Sequence, residues 1–194
     1  MHIYTLTPTD THLRHAAATL LVAEFREHWP EAWPALAAAL VEVAECLAPS
    51  YICRVALDEA GALLGWIGAR PTYNGRVWEL HPLVVRSDQQ GQGIGRALVA
   101  DLEAQVAAQG GLTIMLGTDD EDDMTSLGGC DLYPDPLAHL AAIRNVRRHP
   151  YGFYQRCGFS LVGVIPDANG LGKPDIMMAK RVVRPEALSK PSML

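Results

Sequence analysis

Gln90-Gly91-Gln92-Gly93-Ile94-Gly95 sets three glycines at the mouth of a long amphipathic pattern. Glycine inside a helix costs about 1 kcal/mol relative to alanine, so a cluster here needs a reason. Without Cβ atoms, backbone N–H groups can approach a ligand closely, and a helix N-terminus favours an anion. The chemistry of this stretch is that of a phosphate cradle. A second stretch, Asp119-Asp120-Glu121-Asp122-Asp123, places five acids in a row. Such a run concentrates a cationic partner, and it also fits a solvated loop. A third, Arg76 to Val85, reads as a strand whose alternation puts Glu79, His81, Leu83 and Val85 on one face. A carboxylate or imidazole on that face can take a proton from an amine.

Two familiar cradles do not match. A Walker A loop needs Gly-Lys followed by Ser or Thr, and no such triplet occurs in this region. A dinucleotide fingerprint opens a βαβ unit, whereas this loop follows several strands. Taken alone, the glycines also fit a structural turn.

The elements that must position these residues can be read along the chain. "HIYTLT" is a short strand ending at Pro8, and Asp10 or Thr11 caps a helix through Phe25. Pro34 opens a second helix, "ALAAALVEVAECLA", whose apolar residues run around most of its circumference, so it is expected to be well covered. "YICRVAL", "DEAG" and "ALLGWIGAR" read as strand, turn and strand. Gly93 to Gln109 is helical and stops at Gly110-Gly111, after which "LTIMLGT" is a continuous apolar strand. Residues 119–148 form an acid-rich insertion with a short helix around "PLAHLAAIRNV"; connections are typically about 4–6 residues, so one this long is functional or disordered. "YGFYQRCGF" is a short helix closed by Gly158, and "SLVGVI" and "IMMAKRVV" are strands flanking a turn. Trp66, Tyr73, Trp78 and Tyr133 are candidates to wall a cleft, Trp66 and Trp78 equally candidates for core. The order predicts a mixed α/β (α+β) sheet in one domain over 1–183, with a frayed tail at 184–194.

Composition narrows the partners. The chain has 194 residues and a net charge of −6, which excludes the basic footprint of bulk nucleic-acid binding. No apolar run is long enough to span a bilayer, and the N-terminus does not read as a signal peptide. Cys46, Cys53, Cys130 and Cys157 show neither C-x-x-C spacing nor a histidine grouping, so no metal site is expected and reduced thiols in the cytoplasm are. The terminal Ser-Met-Leu differs from the peroxisomal Ser-Lys-Leu and is read as chance.

Spelled in full, Gln90 to Gly95 fits the Q/R-x-x-G-x-G/A pyrophosphate motif of the GNAT acetyltransferases, and "FYQRCGF" is similar to that family's F-Y-x-x-x-G-F segment. The chain resembles this family from about Tyr51 to Arg181. The resemblance implies a central mixed, mostly antiparallel sheet flanked by helices, and acetyl-CoA as co-substrate with no metal. By the same resemblance, the amides of Gly91, Gln92, Gly93, Gly95 and Arg96 receive the pyrophosphate, with Gln90 and Ile94 completing the loop. Leu83, Val84 and Val85 form the strand beside the pantetheine arm, and the Val85 amide sits near the thioester carbonyl. Tyr154 matches the tyrosine that protonates the leaving thiolate, while Phe153 and Phe159 are core. Glu79 matches the glutamate base of some protein-acetylating members and His81 an acidic position of some aminoglycoside-acetylating ones; Glu79 is the first choice. The chain departs from the family where Asn-x-x-Ala is usual: it carries Arg147 and Pro150, with Asn145 displaced, so Arg147 or Arg148 is expected at a CoA phosphate instead.

The segment "DLYPDPLAHLAAIRNVRRHPYGFYQRCGF" is similar to aminoglycoside 6′-N-acetyltransferase-like members. That implies acetyl transfer to a small cationic amine by direct attack in a ternary complex, with antibiotic resistance as its consequence; the acid run Asp119 to Asp123, by its charge, supplies the expected substrate contacts. Many relatives are dimers, so a homodimer is compatible. A protein or polyamine N-acetyltransferase and a non-catalytic acyl-CoA-binding module are the alternatives.

Overall fold

A computed structural model describes residues 1–182; the tail from 184 and its terminal tripeptide lie outside the described residues. The chain folds as β1 (His2–Thr5), α1 (Thr11–Phe25), α2 (Leu36–Glu45), β2 (Ile52–Leu57), β3 (Leu63–Thr72), β4 (Val77–Val85), α3 (Ile94–Ala108), β5 (Thr113–Asp119), α4 (Pro136–Ala141), α5 (Tyr151–Arg156), β6 (Ser160–Ile165) and β7 (Asp175–Arg181). The strands form one sheet in the order β1-β2-β3-β4-β5-β7-β6. Every pairing is antiparallel except β4 with β5. This is the mixed, mostly antiparallel α/β architecture expected.

Each face of the sheet has its own core. On one, Leu20 and Leu21 of α1 and Ala39 and Val43 of α2 cover Val55, Trp66 and Val84. The Trp66 indole N–H donates to the Ala17 carbonyl at 3.2 Å, which fixes α1 across β3. On the other face, α3 buries Ile94, Leu98, Val99, Leu102 and Val106 against Ile67, Leu80, Ile114 and Leu116. Burying each such side chain stabilises by roughly 1.5–3 kcal/mol, so the helix behind the glycine loop is firmly seated. α2 is less covered than its composition suggests: Ala39 and Val43 are its buried residues, while Val41 is 59% exposed. A helix lying on a sheet hides one stripe, whatever the polarity of the rest.

Two departures from regular pairing make the site. First, β4 carries a bulge. Ala69 pairs with Leu80 and Ile67 with Leu83, so Gly68 alone opposes both His81 and Pro82. A Cβ on Gly68 would come within 2.5 Å of the His81 carbonyl oxygen, so only glycine fits opposite the bulge. The extra residue reverses the alternation. Leu83 and Val85 share the face of Leu80, and Glu79 lies on the opposite one, which corrects the expectation that all four residues face one way. Second, β4 and β5 pair only through Val77, Trp78 and Glu79 with Thr113, Ile114 and Met115. Beyond those pairs the two strands part.

Candidate active site

Where β4 and β5 part, a cleft of about 490 Å³ opens. Leu83, Val84 and Val85 line it from β4, and Gly117, Thr118 and Asp119 from β5. At the end of β4 the chain turns through Gln90, whose side-chain amide donates to the Val85 carbonyl at 3.2 Å. Gly91 and Gly93 have φ of 77° and 87°, a left-handed backbone that suits glycine. Gly93 is the N-cap of α3. A Cβ on either glycine would meet nothing within 4 Å among the described residues, so the loop presents bare backbone to open space there. The first N–H groups of a helix have no intrahelical acceptor. Among the described residues, the amides from Gly91 to Arg96 donate to no turn or loop carbonyl. The Ile94 side chain is buried in the core, so only its amide belongs to the cradle, and Gly95 lies against the Phe153 ring. This arrangement fits a pyrophosphate, and the unpaired edge of β4 fits an extended polar arm.

A profile of the "Acetyltransferase (GNAT) family" matches residues 14–128, more than half of the chain. The chain belongs to the GNAT acetyltransferase family.

Among solved structures, an aminoglycoside 6′-N-acetyltransferase complexed with coenzyme A is 42% identical, with 96% of this chain and 100% of that one covered and a TM-score of 0.87. The aminoglycoside 6′-N-acetyltransferase from Enterococcus faecium is 42% identical over the same shares, with a TM-score of 0.85. An aminoglycoside 6′-acetyltransferase type Ii is 36% identical over 95% and 100%, with a TM-score of 0.72. Comparison with curated proteins gives no match. The protein is therefore an acyltransferase of the GNAT type.

Within this GNAT fold, His81 and Tyr154 both line the cleft and Glu79 does not. Glu79 is engaged with Arg70 across β3 and β4: Nε donates to Oε2 at 2.7 Å and Nη2 to Oε1 at 3.0 Å. The bidentate geometry fixes both carboxylate oxygens. His81 projects from the bulge, 45% exposed, with its ring centroid 5.7 Å from that of Trp33. Tyr154 packs edge-on against Phe153 and Phe159. Burial, with the Cys157 thiol beside it, pushes the phenol above its ordinary range, so it keeps its proton at neutral pH.

His149 positions the helix that carries Tyr154. Its Nδ1 accepts the Tyr151 N–H at 3.2 Å, which leaves the proton on Nε2 for the Asp119 carbonyl at 3.0 Å. The buried ring thus ties the start of α5 to the end of β5, and burial holds it below its ordinary pKa and neutral. Asn145 is spent on the His149 backbone, at 2.8 Å in both directions.

The acid run divides. Asp119 and Glu121 line the cleft. Asp120 does not: it is fully buried and accepts the Met124 N–H at 2.6 Å, the Thr125 N–H at 3.0 Å and the Thr125 hydroxyl at 2.6 Å. Its carboxylate folds the loop and is out of reach of a substrate. Asp122 pairs with His28 at 2.7 Å in an adjacent depression that also holds Arg147 and Arg148, and Asp123 is exposed away from the cleft. The aromatic expectation shifts similarly. Trp66 and Trp78 are core, Tyr73 and Tyr133 are exposed elsewhere, and Trp29 and Trp33 line the cleft instead.

Two cleft carboxylates escaped sequence reasoning. Glu24 sits at the end of α1 and accepts the Ser87 N–H at 3.0 Å. Glu42 sits on α2; burial raises its pKa, but His81, Trp33 and Arg70 together outweigh that and hold it below the ordinary value. The cleft is thus lined by Glu24, Glu42, Asp119 and Glu121, with no lysine or arginine among the described lining residues.

Asp175, paired with Asp119 across β5 and β7, is a further consequence of this crowding. Burial, then repulsion from Asp119, pushes it up to about 6, and its Oδ1 is buried with no partner among the described residues. A carboxyl raised in the folded state favours folding only while protonated, so its stabilising contribution is lost as pH rises from about 4 to 6. Asp175→Asn is expected to raise Tm at pH 7.5 and to change it little at pH 4. Melting curves at the two pH values check this, and an equal effect at both would remove the titration from the explanation.

Proposed function

We propose that the protein transfers acetyl from acetyl-CoA to a primary amine of a small cationic acceptor, the 6′-amine of an aminoglycoside, in a ternary complex. The observation that carries this reading is the cleft itself, four carboxylates and two tryptophans beside His81 and Tyr154. Carboxylates attract a polycationic amino sugar, and aromatic faces give its rings an apolar surface to pack on. The similarity to the aminoglycoside acetyltransferases supports the same acceptor. Residues 1–183 act as one catalytic domain. No helix of the described residues is long and apolar enough to cross a membrane, and a cytoplasmic site of action suits both acetyl-CoA and an acceptor that targets ribosomal RNA. Acetylation removes the charge of the amine and with it a contact to that RNA, so the expected consequence is antibiotic resistance.

When bound, acetyl-CoA supplies an acetyl group activated as a thioester. The amides from Gly91 to Arg96 hold its pyrophosphate, and the outward backbone of Leu83, Val84 and Val85 orients its arm, with the Val85 amide available to the carbonyl oxygen. Because Glu79 is committed to Arg70, His81 is the base: its imidazole takes the proton that an ammonium must lose before its nitrogen can attack. The Tyr154 hydroxyl then gives its proton to the departing sulfur. Asp119 and Glu121 hold the remaining amines of the acceptor.

A thiol-release assay with acetyl-CoA against aminoglycosides with and without a 6′-amine, polyamines and lysine peptides tests the reading. Turnover is expected only with acceptors bearing the 6′-amine. Preferential turnover of polyamines or peptides would overturn the acceptor, and acetyl-CoA binding with no turnover of any amine would favour a binding module.

A further inference from the structure

We propose that Glu42 of α2 is a positioning residue for His81, reaching across from the neighbouring helix to orient the imidazole and to stabilise it once protonated. The inference rests on the reading of His81 as the base. Glu42 Oε1 stands 3.6 Å from His81 Nε2, and its side chain is only 17% exposed against 45% for the imidazole. The separation is longer than a hydrogen bond, as is common before a substrate closes a site. A carboxylate on Nε2 selects the tautomer with its proton there and leaves the Nδ1 lone pair free. The amine's proton then passes to Nδ1, and the imidazolium is held beside Glu42, with the Trp33 ring 5.7 Å away, centroid to centroid.

The backbone of His81 is fixed independently. Its carbonyl lies over Gly68 and accepts the Cys46 thiol at 3.6 Å, and Cys46 follows α2 directly. Ala39 and Val43 anchor the same helix in the core. Helix and bulge therefore keep their spacing, which a carboxylate acting through another residue requires. The titratable groups that share the cleft with the imidazole are Glu24 from α1, Glu42 from α2, Asp119 and Glu121 at the end of β5 and Tyr154 from α5, with the Cys46 thiol behind Glu42 and the Arg70–Glu79 pair on β3 and β4. Glu79 is neutralised by Arg70, and Glu42 alone among these forms an ion pair with His81.

The test compares wild type, Glu42→Gln, Glu42→Asp, His81→Ala and the double variant, by steady-state kinetics and by NMR titration of the His81 ring. Glu42→Gln is expected to lower kcat about 10–100-fold with the acceptor KM within about threefold, since general base catalysis contributes about 10²–10⁴. Removing a negative charge beside the imidazolium moves both the ring titration and the acid limb of the pH–rate profile to lower pH. Glu42→Asp keeps the charge and is expected to restore part of the rate, and the double variant to be no slower than His81→Ala. An unmoved ring titration, or a raised KM at constant kcat, overturns the proposal and makes Glu42 an anchor for the acceptor. Full turnover by His81→Ala with a shifted ring titration instead overturns the base assignment and leaves the pair standing. If the wild type acetylates no amine in the panel, the functional reading fails, and the ring titration alone decides the pair.

Discussion

Tyr154→Phe is expected to lower kcat about 100-fold or more while CoA affinity stays within a few fold, because general acid catalysis contributes about 10²–10⁴ and the substitution removes one hydroxyl. The ring keeps its contacts with Phe153 and Phe159, so neither α5 nor the cradle should move. What is lost is a proton held at the cleft. Burial raises the phenol above its ordinary value, so Tyr154 stays protonated over the pH range in which an amine can be deprotonated. A shift in this direction also makes it a weaker acid, so in the proposed role its proton would move only as the sulfur departs and its basicity appears. Steady-state kinetics beside calorimetric titration of CoA separate the two quantities. Equal losses in kcat and in affinity would take the acid role away from Tyr154.

The second large effect belongs to the cradle. Gly93→Glu is expected to weaken CoA binding by at least about 100-fold, a loss of roughly 2.7 kcal/mol or more. The new Cβ would point into open space at φ 87°, on the proposed path of the pyrophosphate, and the carboxylate would repel it. Left-handed strain at a residue other than glycine costs on the order of 1–3 kcal/mol, partly offset because an acid suits a helix N-terminus. Gly110→Ala is the matched control. Gly110 has φ 80° and equally open space beyond the far end of α3, so it should cost similar stability and leave CoA binding intact. Wild-type affinity in Gly93→Glu would place the anion site elsewhere.

The glycine loop and the "FYQRCGF" helix were legible because each needs a local conformation that few residues supply. The strands around them were legible as alternating or continuous apolar runs between turn signals. The β4 bulge was not read, although its sign was present. Pro82 lacks the N–H of a ladder residue, and proline inside a strand belongs at an edge or a bulge. Taking the strand as regular assigned Glu79 to the face of Leu83, whereas one extra residue separates them. Asp120 was misjudged because a run of acids carries no sign of which carboxylate turns inward to bond Met124 and Thr125. Glu42, Trp29 and Trp33 were missed for another reason. They come from a helix and a connection that no motif marks, and only packing of α1 and α2 across the sheet brings them to His81.

The parting of β4 and β5 also has a mechanical meaning. It divides the sheet into a leaf of four strands and a leaf of three, joined at one end by three residue pairs. α3 packs mainly against β2, β3 and β4, whereas α5 packs against β7, so the two leaves are backed for the most part by different helices. Two stiff plates joined along a short seam flex most easily at the free end, which here is the end that holds His81 and Tyr154. A molecule lying along the gap bears on both plates at once. It would act as a brace, holding His81 and Tyr154 at one spacing across the gap.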